Sequence, residues 1–149
     1  MYDSRQDTLN HKYKVRGFLK TLNKDIVSRS HNHDISKLDE PEKSVFDEYT
    51  PKLAGSTYGS EEYKEFLKEM KVALDHHYLK NRHHPEHFQN GINDMTLIDL
   101  CEMLADWKAA TLRHNNGDIF KSLELNQERF GYSDELKQIL INTARVYFE

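Results

Sequence analysis

Apolar residues recur at helical spacing along almost the whole chain, and no alternating strand pattern of useful length appears. Over residues 8–22, Val15, Phe18, Leu19 and Leu22 share one face, and Ile26 and Val27 continue it. That stripe fits one helix to Ser30, or a helix broken near Asn23. A straight helix, at ~1.5 Å per residue, holds His11 and His33 some ~30 Å apart, whereas a hairpin brings them together. Asp39-Glu40-Pro41 opens the next helix, with proline at a tolerated first-turn position. It runs to about Leu53, and Gly55-Ser-Thr-Tyr-Gly59 follows as a loop. Ser60 caps a long helix with Glu61 and Glu62 in its first turn. Its core stripe is Tyr63, Phe66, Leu67, Met70, Ala73, Leu74 and His77, so His77 faces inward and His76 points about 100° away.

Residues 81–94 form a polar loop. Thr96 caps a helix from Leu97 to about His114, ended by the turn residues Asn115-Asn-Gly117. Two further helices follow, about Asp118–Phe130 and, behind the cap Ser133, Asp134–Tyr147. There is no repeat, low-complexity segment or linker. The expectation is one all-α domain over residues 1–149, a helical bundle of about six to eight helices.

Composition narrows the class. The 149 residues suffice for one core, 31% of them are charged, and the net charge of −4 argues against a general nucleic-acid binder. The single cysteine, Cys101, excludes an internal disulfide. Its apolar neighbours predict a buried thiol, which suits a reducing cytoplasm. No apolar run approaches the ~20 residues of a membrane span, and the N-terminus lacks signal-peptide character.

The chemistry gathers at three places. In Ser30–Lys37, the adjacent His33 and Asp34 can both bind a divalent metal, and Lys37, one turn later, can face a phosphate. Five of the nine histidines, His76, His77, His83, His84 and His87, fall between 76 and 87, and imidazoles on a helix and its following loop can converge on one ion. On the helix from Leu97, Asp99, Glu102 and Asp106 occupy a wedge of about 60° in an otherwise apolar circumference. Such a helix is expected to be buried with its acids facing an enclosed polar site, where a metal is the obvious partner. Each feature has a plainer explanation: a solvated polar loop, a narrow solvent-facing edge, and surface charges for Lys37, Lys80, Arg82, Lys108 and Arg113. Phosphate-cradling glycine loops, Ser-His-Asp systems and the His-Glu-x-x-His zinc signature are absent.

His33-Asp34-Ile35-Ser36-Lys37 resembles the His-Asp-(hydrophobic)-(Gly/Ser)-Lys signature of the HD-domain superfamily of metal-dependent phosphohydrolases. His11, His33-Asp34 and Asp106 match that superfamily's order of histidine, His-Asp pair and later helical aspartate. The segments around His11, His33–Lys37, His76–His84 and Glu102–Ala110 are similar to a small bacterial and phage family placed near the HD fold. The resemblance spans about residues 11–114 and implies an HD-like helical bundle with the hairpin near Asn23.

It also implies His11, His33, Asp34 and Asp106 as ligands of a divalent ion (Mn, Fe, Co, Zn or Mg), and leaves a second ion open. His77, Asn81, Arg82 and His84 become substrate contacts, or in the case of His77, His83 and His84 second-ion ligands. Lys37, Glu102 and His83 become catalytic groups, with Glu102 orienting water or acting as a general base. The activity implied is metal-dependent hydrolysis of a small phosphorylated compound, foremost a nucleotide. The protein would act in the cytoplasm, the host's if phage-encoded, without a membrane partner, and homo-oligomers are compatible. The alternative is a non-catalytic metal-containing protein that binds a nucleotide or a protein partner.

Overall fold

The computed structural model describes residues 2–56, 60–113 and 117–149. The chain is all-α. Seven helices are formed among the described residues: α1 (Arg5–Asn32), α2 (Glu42–Gly55), α3 (Glu61–Glu69), α4 (Lys71–Lys80), α5 (Leu97–Thr111), α6 (Ile119–Phe130) and α7 (Asp134–Tyr147). Short 3-10 turns lie at Ile35–Leu38, Pro85–His87 and Gly91–Asp94. No helix among the described residues is long and apolar enough to cross a membrane.

By its internal contacts the chain falls into two units, Met1–Asn32 and His33–Glu149. The first is α1. It runs without interruption for 28 residues, so the hairpin expected near Asn23 does not form. Neither glycine nor proline stands there, and the stripe of Leu22, Ile26 and Val27 continues in register across the expected break, so every residue can extend the ladder of hydrogen bonds.

In the second unit the core is built by α5, α6 and α7. Met103 and Leu104 pack with Ile119, Leu123, Tyr132, Leu140 and Ala144, all nearly removed from solvent. Trp107 lies against this core, its ring nearly parallel to Phe130 at 6.1 Å. It is therefore a packing residue. The expected caps are in place. The Ser133 side chain accepts from Leu136 N–H, and Thr96 and Asp99 make a reciprocal capping box at the start of α5.

Three boundaries differ from expectation. The long helix behind the Ser60 cap is interrupted at Met70, whose ψ of −3° turns the chain between α3 and α4. Helix α2 reaches Gly55, and α5 ends at Thr111. The expected loop residues 57–59 and the turn residues 114–116 lie outside the described residues. Cys101 is exposed, not buried. It stands one turn after Leu97, which is 75% exposed, and one turn before the exposed Ala105, so this line of α5 is an apolar outer edge.

Tyr132 supplies a testable feature of this core. It is buried, and its phenol donates to the carbonyl of Leu123. Burial pushes its pKa up to about 12, from 10.0. Below pH ~10 both folded and unfolded states keep the proton, and the contribution to stability is complete. Above that, the unfolded chain loses its proton first, and stability falls by about 1.4 kcal/mol per pH unit until the folded phenol ionises as well. Urea unfolding between pH 9.5 and 11.5 is therefore expected to lose stability more steeply in the wild type than in Tyr132→Phe. Parallel slopes would refute this.

A candidate metal centre in the second unit

His33 and Asp34 open the second unit. Asp34 has φ 54°, ψ 17°, the left-handed region, and caps the 3-10 turn Ile35–Leu38. Aspartate tolerates this conformation better than most residues but still at a cost, which tends to persist where the surroundings fix the residue for a purpose. Its carboxylate is the hub of the site. Oδ2 accepts from Lys37 Nζ at 2.6 Å, and Oδ1 lies 3.3 Å from both His77 Nε2 and His83 Nε2.

Around this hub two donor sets come together: His33, Asp34, His83 and Asp106, and Asp34, His77, His83 and His84. Within each set one ligand atom per residue lies within 4.8 Å of all the others. His77 and His83 are 2% and 1% exposed. The rings lie close and tilted at 44°, with His83–His84 centroids at 4.1 Å and His33–His83 at 4.4 Å.

Two carboxylates, Glu42 buried and Glu102 half-buried, stand behind the histidines and set which nitrogen faces inward. Glu102 Oε1 accepts from His33 Nδ1 at 2.9 Å and lies 3.2 Å from His83 Nδ1. Glu42, with no exposure at all, accepts from His76 Nδ1 at 2.7 Å through Oε1 and from His77 Nδ1 at 2.8 Å through Oε2. An ionised carboxylate can only accept, so these Nδ1 atoms carry the hydrogens. In the neutral rings, the Nε2 lone pairs of His33, His77 and His83 are then left for the centre. This is the arrangement found behind metal-ligating histidines.

The two carboxylates at the centre are held in their charged form. Burial works against ionisation of Asp34, but the neighbouring His77 and His83 rings and the Lys37 ammonium outweigh it and hold the carboxyl far below the ordinary range. Asp106 is likewise lowered: burial opposes, and His33 overcomes it. Burial, followed by the neighbouring His83 and His77, depresses His84 to about 3, so its ring is neutral at pH 7. His33 is raised to about 10, first by Asp106 and then by Glu102, so without a cation its ring is protonated at pH 7, and a bound ion would displace the hydrogen on Nε2.

Two atoms decide whether a cation fits. Asp34 Oδ1 and His83 Nε2 are buried and have no hydrogen-bond partner. Their mutual distance of 3.3 Å lacks hydrogen-bond alignment. Buried polar atoms are rarely left so. A carboxylate oxygen and an imidazole nitrogen aimed at the same space are natural donors to a divalent ion, and the residues fit one.

Several expected site residues prove to do other work. His11 lies on the exposed face of uninterrupted α1, 21 residues before its end, a rise of ~31 Å at 1.5 Å per residue, and joins neither donor set. Asn81 ends α4, its amide donating to Ser36 Oγ and to the His77 carbonyl, both at 2.8 Å. Arg82 makes a two-pronged ion pair with the fully buried Asp99, at 3.2 and 3.1 Å, and lies over the Phe88 ring. These contacts tie Asn81 and Arg82 to the framework. Asp99 is engaged by Arg82 and the Thr96 cap, so of the acid wedge only Asp106 reaches the centre. His87 Nδ1 donates to the Tyr78 carbonyl at 2.8 Å and is a loop fastener. Glu42 escaped sequence reading because nothing distinguishes it from Asp39 and Glu40, the acids beside it at the start of α2.

No curated protein and no solved structure matches this chain. A family model matches residues 1–146, nearly the whole length. The chain thus belongs to the family described as "Family of unknown function (DUF5662)".

Proposed function

We propose that the histidine–aspartate cluster binds a divalent cation and that the protein is a metal-dependent phosphohydrolase of the HD-domain kind. Its substrate would be a small phosphorylated compound, foremost a nucleotide. The observation that carries the proposal is the convergence of carboxylate-backed imidazoles on the partnerless Asp34 Oδ1. The HD-like motif at residues 33–37 supplies His33 and Asp34 to the cluster, which draws also on 77–84 and 106.

His33, Asp34, His83 and Asp106 would hold one ion, and Asp34, His77 and His84 offer donors for a second. Asp34 has two oxygens and can serve both sets, whereas the single inward lone pair of His83 can serve only one. A bound divalent ion supplies Lewis acidity: it polarises a phosphoryl oxygen and makes a nucleophile available from water at neutral pH. Lys37, already anchored on Asp34 Oδ2, is placed to take a phosphate oxygen and offset its charge. Glu102 is spent on two Nδ1–H groups, so its role is to hold His33 and His83 in orientation rather than to take a proton. Tyr78, with its ring 5.1 Å from His84, forms a wall beside the cluster.

A second reading is favoured by the donor count. Four protein ligands complete a tetrahedral ion and leave no open position, the pattern of a structural site. One experiment separates the two. The purified full chain is analysed for bound metal, then offered nucleoside mono-, di- and triphosphates with Mn²⁺, Mg²⁺, Co²⁺ or Zn²⁺, and phosphate release is measured. At least one ion per chain is expected, with release that stops on adding chelator. A firmly bound ion without turnover across the panel would favour the closed structural site. A chain that takes up none of the four metals would overturn both.

A further inference from the structure

We propose that Glu42 is the positioning residue for the donor set of His77 and His84, fixing the His77 ring so that Nε2 is turned toward Asp34. The inference rests on the metal reading and extends it to a residue with no part in the motif. Glu42 stands in the first turn of α2 and is completely buried. A buried carboxylate survives only when its oxygens are paired. Here both are paired with imidazole Nδ1 atoms, His76 on one and His77 on the other, and the Ser36 hydroxyl is a further donor. With both oxygens taken up by ring nitrogens, the carboxylate is the acceptor and keeps the hydrogen on His77 Nδ1.

The other nitrogen of His77 is 2.9 Å from His84 Nε2 and 3.3 Å from Asp34 Oδ1. If the tautomer reversed, His77 would present a hydrogen to the centre instead of a lone pair. Ser36 and Asn81 brace the same unit: Asn81 donates to Ser36 Oγ at 2.8 Å and to the carbonyl of His77. The turn bearing Asp34, the start of α2 and the last turn of α4 thus meet at one carboxylate. His76 is 30% exposed on its side chain, so water can replace its hydrogen bond, whereas His77 is closed to water and only the neutral Asn81 Nδ2, at 3.0 Å, and Ser36 Oγ, at 3.5 Å, also reach its Nδ1. The His33 set has its own support in Glu102, and this predicts a selective effect.

The test uses the full chain stripped of metal, titrated with Co²⁺ and followed by its visible absorption, together with ¹⁵N spectra of the histidine rings at pH 8. Glu42→Gln is expected to weaken Co²⁺ binding by about 10- to 100-fold in the His77 set and to leave binding at the His33 set unchanged. His77→Ala should lose at least as much, and the double variant no more than His77→Ala alone. In the metal-stripped protein the His77 ring should change from hydrogen on Nδ1 to a mixture of tautomers, with the His33 ring unaffected. Glu42→Asp, charged but one methylene shorter, tests the same point if the glutamine variant does not fold, and should show the same selective weakening.

A folded Glu42 variant with unchanged Co²⁺ affinity and an unchanged His77 tautomer would overturn the proposal. So would losses that add to those of His77→Ala or strike both sets equally. A wild-type chain that takes up no Co²⁺ would sink the metal reading itself, and the proposal with it. Wild-type uptake with an indifferent Glu42 would sink the proposal alone.

Discussion

Asp34→Asn is expected to yield a folded protein that has lost its cation. Asp34 is the one carboxylate common to both donor sets, and Oδ1 is the buried acceptor without a hydrogen-bond partner. Removing a group that merely orients a ligand typically costs 10- to 100-fold in metal affinity. Removing the shared ligand should therefore cost at least about 100-fold, with phosphate release falling at least as far. Asparagine is the right replacement because it is nearly isosteric and accepts the left-handed backbone that Asp34 adopts at φ 54°. Asp34→Ala should lose the ion equally and also lose about 1 kcal/mol of stability to that backbone conformation. Metal analysis after dialysis, paired with urea unfolding of the stripped proteins, reads the two effects separately. Full metal retention in a folded Asp34→Asn protein would refute the centre.

Asp34 was legible in the sequence because its signal is local: a His-Asp pair with a lysine three residues on. The helix caps were legible for the same reason, and Thr96 with Asp99 forms the capping box that their spacing describes. His77 and His76 were separated by helical phase alone, and their exposures agree. Longer-range matters were not legible. The apolar stripe of α1 is compatible with a straight helix or a hairpin, and a likeness in motif order favoured the one that does not form. Cys101 has apolar neighbours in sequence, but burial depends on what lies opposite a helix face, which periodicity does not report. Glu42 is the extreme case. Its importance comes wholly from rings more than thirty positions away.

The acid wedge of α5 shows how a correct local pattern can contain several functions. Asp99, Glu102 and Asp106 share a face, but seven residues of helix extend about 10 Å along its axis, so each meets a different neighbour. Asp99 meets Arg82 and the helix N-terminus, Glu102 meets two Nδ1 atoms, and Asp106 meets the centre. A helical projection collapses the axial direction, so it found the wedge and merged the roles.

From that division a second large effect is expected, on stability rather than on metal. Arg82→Ala should destabilise the protein by about 3 kcal/mol, since breaking a buried ion pair from one side leaves the other charge without its counterion. Asp99 is the deep partner here, fully buried, while the Arg82 side chain is 46% exposed. Asp99→Ala removes the buried charge itself and lets Arg82 turn to water. Its cost is the capping box and the charged hydrogen bonds, about 2 kcal/mol. The asymmetry is the diagnostic: losing the more exposed partner should hurt more than losing the buried one, and the double variant should cost less than the sum. Asp106→Asn should reverse the pattern, with unfolding little changed and bound metal lost. Urea midpoints and metal content of the three proteins measure both axes. Were Arg82→Ala to bind metal weakly at unchanged stability, Arg82 would belong to the site after all, and the partition of the wedge would be wrong.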